Sequence, residues 1–359
     1  MADERRFLLF SGHNDRAVVA LCRFFEQARL PFVIVAAGAA DAIHRTRWAE
    51  QVVFNRLDPL VTVSWLRMLA DSLGGELVYC PTTEFINHFV LNHRADLSDS
   101  GLHIGLPEQA IYEQLTGKHS SQALMTSLCA DLQLPGTQPE GQWHAPCVLK
   151  PHENVSQGRV RYPLLCRTDA DLQQALHGLD RQAYFAQDFI TGQSHYLCGY
   201  LARDGEFASF WQVNLMQQGG GKSIVLARPC ANPGLDELNL FQRLHARGYH
   251  GAFMLEVIAS QRRLYYIEVN PRFWGPLQLA LDVCPDILRL FARDQGFDTP
   301  TITAQLPENA CYAWAYGAHQ PGGVVHPAGQ AISPQERERL LSVHDVYARD
   351  DTRALQACH

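Results

Sequence analysis

Two glutamates a strand apart are the residues of this chain most able to do chemistry. Residues 253–259 and 264–270 are β-prone apolar runs joined by the polar segment Ser260-Gln261-Arg262-Arg263, which reads as a hairpin. A turn centred on Arg262 pairs Ser260 with Leu264. Counting outward by twos then sets Glu256 opposite Glu268, with Asn270 on the same face because strand side chains alternate. Two carboxylates facing each other in apolar strands repel and are costly to desolvate, so a cation between them, or a proton on one, is required. A hard divalent ion with oxygen ligands suits the set Glu256, Glu268 and Asn270, and magnesium or manganese is the expectation. A slip of one residue would instead turn both carboxylates to the opposite face.

Directly after Asn270, Pro271 stops the strand and Arg272 follows at the same period. A guanidinium beside such an ion suits a phosphoryl or carboxylate group. Elsewhere Lys150 ends the apolar run Cys147-Val148-Leu149, where a buried charge needs a partner.

The pattern of Glu256 in one strand and Glu268-x-Asn270-x-Arg272 in the next resembles the ATP-grasp superfamily. The resemblance implies ATP as a substrate, with Lys118 and Lys150 aimed at its phosphates. It also implies an adenine-clamping hinge at Gln187, Asp188, Phe189 and Ile190. The chain departs from the pattern at Gln187, where relatives carry an acid. It departs again around Gln193, Ser194 and His195, where an acid near the ribose is expected and His195 is the nearest substitute. The lid segment Val155-Ser156-Gln157-Gly158-Arg159 carries one glycine where relatives have more, which leaves Arg159 or His152 to close over the phosphates.

The implied reaction joins a small carboxylate, possible amino acids included, to an amine through an acyl phosphate, with Arg272 and Lys150 stabilising charge in transit. A bicarbonate-dependent carboxylase or carbamoyl-phosphate-type enzyme, and an ATP-binding regulator without turnover, would share the same nucleotide site.

The elements that must position these residues fall into three stretches. Through residue 105, strand and helix alternate: residues 7–10, 16–28, 32–37, 64–73 and 76–80, an order that predicts a Rossmann-like parallel sheet with crossover helices. The loop Ser11-Gly12-His13-Asn14-Asp15 opens a helix and suits an anion, but it lacks the G-x-G-x-x-G of a dinucleotide site. Residues 106–300 carry the grasp motifs, with a lid subdomain around 120–186. Asp204-Gly205 marks a second hairpin between residues 197–202 and 207–211. Residues 301–359 read as a small appended unit with a helix at 334–341. The fold class expected is thus α/β followed by α+β. Gly219-Gly220-Gly221-Lys222-Ser223 invites a P-loop reading, but Met216 stands where that motif needs glycine, so a loop beside the acceptor substrate is preferred.

The 359 residues carry a formal net charge of −7 and a pI near 6.1, with no basic stripe, so nucleic acid is not an expected partner. No apolar run approaches the roughly 20 residues that span a bilayer, and the charged residues 1–6 run straight into a strand, so a cytoplasmic protein is expected. The ten cysteines are scattered singly without a C-x-x-C pair, which fits free thiols rather than zinc. A homodimer is compatible with all of this.

Overall fold

The computed structural model describes residues 5–57, 60–152, 155–156, 159–327 and 332–356. Strand β1 (Arg6–Phe10), helix α1 (Asp15–Ala28), β2 (Phe32–Ala36), β3 (Val52–Asn55), α2 (Val63–Leu73), β4 (Leu77–Tyr79), α3 (Glu84–Asn92) and β5 (Leu102–His103) build the first layer set. The sheet is all parallel, in the order β3-β2-β1-β4-β5. Residues 7–10 are apolar at every position because a central parallel strand is buried on both faces. Phe7 and Leu9 face α1, while Leu8 and Phe10 face the layer of α2 and α3. The strand order reverses at β1, so the loops after β1 and β4 flank a crevice at the carboxyl edge of the sheet, where such folds bind ligands.

Helices α4 (Gln109–Thr116) and α5 (Lys118–Leu128) lead into β6 (Leu132–Gln133). A small sheet, β11-β8-β12-β7, comes next, from β7 (Thr137–Gln138), β8 (Cys147–Pro151), β11 (Leu164–Cys166) and β12 (Tyr184–Asp188). Between β8 and β11 lies a short pair, β9 (Val155–Ser156) with β10 (Arg159–Val160). Helix α6 (Asp169–Leu176) covers the face of the small sheet that carries Cys147, Leu149 and Ala186. Gln157 and Gly158 of the expected lid loop lie outside the described residues.

Among the described residues the large sheet has eight strands. Its long members are β13 (Gln193–Leu201), β14 (Phe207–Gln218), β15 (Ile224–Cys230), β16 (Gly251–Ser260) and β17 (Arg263–Asn270), with α7 (Glu237–Ala246) between β15 and β16. The hairpin of β13 and β14 turns at Asp204-Gly205 as expected, with Gly205 at φ 89°, a value that favours glycine. Helices α8 (Leu277–Val283) and α9 (Asp286–Asp294) then link the two sheets, α8 packing against α1 and α9 against β13 and β14.

The chain beyond residue 300 is stitched onto the large sheet. Strand β18 (Tyr312–Ala313) pairs with β15, and β19 (Val324–Val325) pairs with β14. Helix α10 (Ala315–Ala318) lies between them, and α11 (Pro334–Val343) follows, capped by Ser333. Arg23 of α1 anchors the terminal stretch. Its guanidinium is 3% exposed, meets Asp351 at 2.7 Å and also donates to Gln278 Oε1 and the Val346 carbonyl. Arg23→Met is expected to cost about 3 kcal/mol, because it strands Asp351 and two acceptors without their donor. Urea unfolding reads this directly, and an unchanged midpoint would show the anchor to be dispensable.

Among the described residues no helix is long and apolar enough to cross a membrane, and the nine described cysteines are free.

Candidate active site

The pairing of Glu256 with Glu268 is present, but by a different route from the one counted in the sequence. The β16–β17 turn has two residues, Gln261 and Arg262, at φ 48° and 63°, so that Ser260 pairs with Arg263 rather than with Leu264. That register alone would set Glu268 on the wrong face. A bulge at Ile267 restores it, since Val257 pairs with Tyr266 but Glu256 pairs with Glu268 and Met254 with Asn270. The carbonyl of the bulged Ile267 is left to accept a hydrogen bond from Lys150 Nζ at 3.2 Å.

Glu256 is 8% exposed. Ser194 Oγ donates to its Oε1 at 3.0 Å, and Asn214 and Gln212 continue a polar ladder behind Ser194. Burial and the facing Glu268 push the Glu256 carboxyl up to about 8. On Glu268, burial works in the same direction but is outweighed by Lys118 at 3.7 Å, the Asn270 amide at 2.8 Å, Arg272 and Lys150, so its pKa falls below the usual range. Glu268 is thus held charged, whereas at Glu256 burial and the facing charge outweigh what Ser194, Lys150 and Lys118 offer. Burial and neighbouring Lys118 lower Lys150 to about 8, against the pull of the two glutamates. Lys118 heads α5, which packs on β17, and so reaches the pair from the end of a helix.

A cavity of about 480 Å³ separates the small sheet from the large one. Val148 and Lys150 point into it from β8, and Gln187 lies directly opposite Val148 on β12. Phe189, Ile190 and the Asp188 backbone segment continue that wall, while Ser194, Glu256, Ile258 and Glu268 form the other. Gln187 is 1% exposed and neither atom of its amide has a partner, which amounts to a buried donor and acceptor presented to the cavity. Asp188 is exposed and accepts from Gln138 Nε2 at 3.0 Å.

His195 does not join these residues. It pairs with Val257, one residue out of phase with Glu256, so alternation turns it to the opposite face, where its Nδ1 lies 3.0 Å from the Gln193 carbonyl. Ser194 stands in the cavity instead. His152 lies 3.1 Å from His119, and the side chain of Arg159 is outside the described residues.

A second cavity, about 390 Å³, adjoins the first across Glu268, which lines both. Asn270 and Arg272 open into this second space. Arg272 donates to Asn270 Oδ1 at 3.0 Å, and its Nε is buried without a partner. Neither nearby acid claims it, because Asp282 pairs with Arg349 and Asp286 with Arg289. The glycine-rich loop lies over the junction: Gly220 and Gly221 line the first cavity, Lys222 and Ser223 the second. Sequence reasoning named Ser194 only within a window of three and missed Gln212 and Asn214, whose one signal is polar residues at alternate positions of the apolar strand β14.

No family model and no curated protein matches the chain. Solved structures do. The biotin carboxylase domain of Hydrogenobacter thermophilus 2-oxoglutarate carboxylase, solved as a dimer with MgADP, ADP and bicarbonate, superposes with a TM-score of 0.59 at 15% identity, over 83% of this chain and 71% of that one. An N5-carboxyaminoimidazole ribonucleotide synthetase in its ADP complex gives 0.60 at 13% identity, over 86% and 80%. Biotin carboxylase from Campylobacter jejuni, in a β-γ-ATP complex, gives 0.57 at 13% identity, over 82% and 72%. Identities this low speak for architecture alone, and that architecture is the ATP-grasp fold, which this chain has.

Proposed function

We propose that the chain is an ATP-dependent ligase that activates a carboxylate as its acyl phosphate and passes the acyl group to an amine. The observation that carries this reading is the placement of Glu268 as the shared wall of two cavities, with Glu256 opposite and Arg272 on the far side. A nucleotide in the first cavity and an acid in the second would meet at that wall.

The residues fit the substrates implied. Apolar Val148, Ile190 and Ile258 can flank a purine, and the orphaned Gln187 amide can pair with its edge. Glu256, Glu268 and Asn270 would hold magnesium. Among the described residues no third acidic or imidazole ligand stands with them, as suits an ion that completes its shell with phosphate and water. Magnesium, when bound, neutralises phosphate charge. Lys118 and Lys150 face the same cavity and add fixed positive charge around the transferring group.

In the first step a carboxylate oxygen attacks the γ-phosphorus. The new O–P bond forms as the bridging O–P bond breaks, and ADP leaves with the electron pair. The amine nitrogen then attacks the acyl carbon, phosphate departs with the C–O electrons and the surplus amine proton goes to solvent. Arg272 orients the carboxylate and steadies the acyl phosphate, so no nucleophilic side chain is required.

A panel of acids with a general amine such as hydroxylamine tests the reading by ADP release. Release that needs both partners supports it, whereas release driven by bicarbonate alone would replace it. Dimerisation, as in the dimeric biotin carboxylase domain among the structural neighbours, belongs to the same proposal and is read by light scattering.

Lys150→Ala is expected to raise the ATP dissociation constant about tenfold, the worth of a charge-assisted hydrogen bond, while stability changes by about 1 kcal/mol or less. In the free protein the lysine gives up a single bond, to the Ile267 carbonyl. Calorimetric titration together with thermal melting checks both halves. Unchanged affinity with a large loss of stability would make Lys150 a structural residue.

A further inference from the structure

The second cavity lies at the carboxyl edge of the N-terminal parallel sheet, where the strand order reverses between β1 and β4. The loops after those strands supply His13, Asn14, Thr82 and Thr83 to its wall. Two helices begin there, α1 with fourteen residues and α3 with nine, and neither has a side-chain cap at its N-terminus. The Asn14 amide, which stands at the cap position of α1, is turned instead to the carbonyls of Thr82 and Phe273. Two helix starts left open in this way present N–H groups and positive dipole ends to one space.

A second feature points the same way. Thr82 and Trp274 are each 1% exposed and line the cavity, yet Thr82 Oγ1 and Trp274 Nε1 have no hydrogen-bond partner. A buried indole N–H can only donate, and leaving it without a hydrogen bond carries a desolvation cost that a bound acceptor would recover. Arg16 adds charge and is fixed by bonds to Ser223 Oγ at 3.1 Å and the Ile224 carbonyl, with its guanidinium 4.0 Å from the Trp314 ring centre. Lys222 also lines the space. Against Arg16, Lys222 and Arg272 stand two acids. Glu84 faces His88 at 3.9 Å, and Glu268 belongs to the glutamate pair.

Resting on the ligase reading above, we infer that the acid substrate carries a second anionic group. One carboxylate meets Arg272 beside Glu268, and the other anion is held by Thr82, Trp274 and the open starts of α1 and α3. The substrate class is a small dianionic acid, either a dicarboxylate or an acid bearing a phosphoryl-type group. A cavity of about 390 Å³ accommodates an acid of this size with its nucleophile.

The experiment measures ADP release with ATP, magnesium and hydroxylamine, comparing succinate, glutarate, aspartate and glutamate with butyrate and valerate, and including 3-phosphonopropionate. The expected result is at least a tenfold higher kcat/KM for a dianionic acid than for the monoacid of equal length. Preference for the phosphonate over the dicarboxylates assigns the distal group to phosphoryl chemistry, and the reverse assigns it to carboxylate. Monoacids turned over as well as or better than diacids would overturn the inference and leave the ligase reading intact. No ADP release with any acid would remove both. In Thr82→Val the KM for the preferred diacid should rise about tenfold, with the monoacid KM and ATP affinity unchanged, and Thr82→Ser should restore it. A valine variant that melts no lower than the parent but binds diacid equally well would also overturn it.

Discussion

Glu268→Gln is expected to lower turnover about a thousandfold or more, equivalent to about 4 kcal/mol of transition-state stabilisation, with the fold retained. The amide keeps the shape of the side chain but removes the charge that two cavities share. It cannot hold a divalent ion with comparable strength, and it leaves Lys118 without its carboxylate partner at 3.7 Å. Stability should change little, because the loss of that contact is offset by the lower cost of desolvating a neutral amide in place of a carboxylate. ADP formation measured across a magnesium titration, with urea unfolding alongside, reads both quantities. Near-parent turnover at saturating magnesium would remove Glu268 from the metal site.

Arg272→Lys should reduce turnover about a hundredfold and leave ATP affinity within a factor of three. Arg272 opens into the second cavity, where the proposal places the acid, and not into the first, and its Nε is buried with no partner among the described residues. A lysine keeps the charge but loses the planar fork that holds a carboxylate or acyl phosphate by two bonds. An interaction made mainly in the transition state appears in kcat more than in binding. Single-turnover product formation and calorimetric ATP titration separate the two. Product formed at the parent rate would exclude Arg272 from the chemistry.

How far the site was legible in the sequence depended on what each residue needed from the rest of the chain. Residues 7–10 read as one strand of a parallel sheet because strand and helix alternate through the first hundred residues, and the structure places them at the centre of that sheet. The facing glutamates were legible in outcome but not in cause. The counted turn was one residue too long, and the bulge at Ile267 compensated for it. The carbonyl of the bulged Ile267 meets Lys150 from the other sheet, a contact across the cleft that hairpin counting does not contain. His195 was chosen from three adjacent residues, but the choice rests on parity. Only the pairing of β13 with β16 shows that Ser194 shares the face of Glu256 while His195 does not. Arg272 followed from its spacing, and the structure removes its two rival acid partners. Strands β18 and β19 have two residues each, too few for any periodicity, so their pairing with the large sheet could not be read. Thr82 and Trp274 carry no signal at all in one dimension, because an orphaned donor is a property of surroundings.

The most direct measurement of carboxylate activation is oxygen transfer. The preferred acid, labelled with ¹⁸O in its carboxylate, is turned over with ATP and an amine, and the released phosphate is examined by mass spectrometry. Formation of an acyl phosphate requires one labelled oxygen to pass from the acid to phosphate in each turnover, with ADP as the nucleotide product. Unlabelled phosphate formed alongside ADP, or AMP and pyrophosphate in place of ADP, would contradict it.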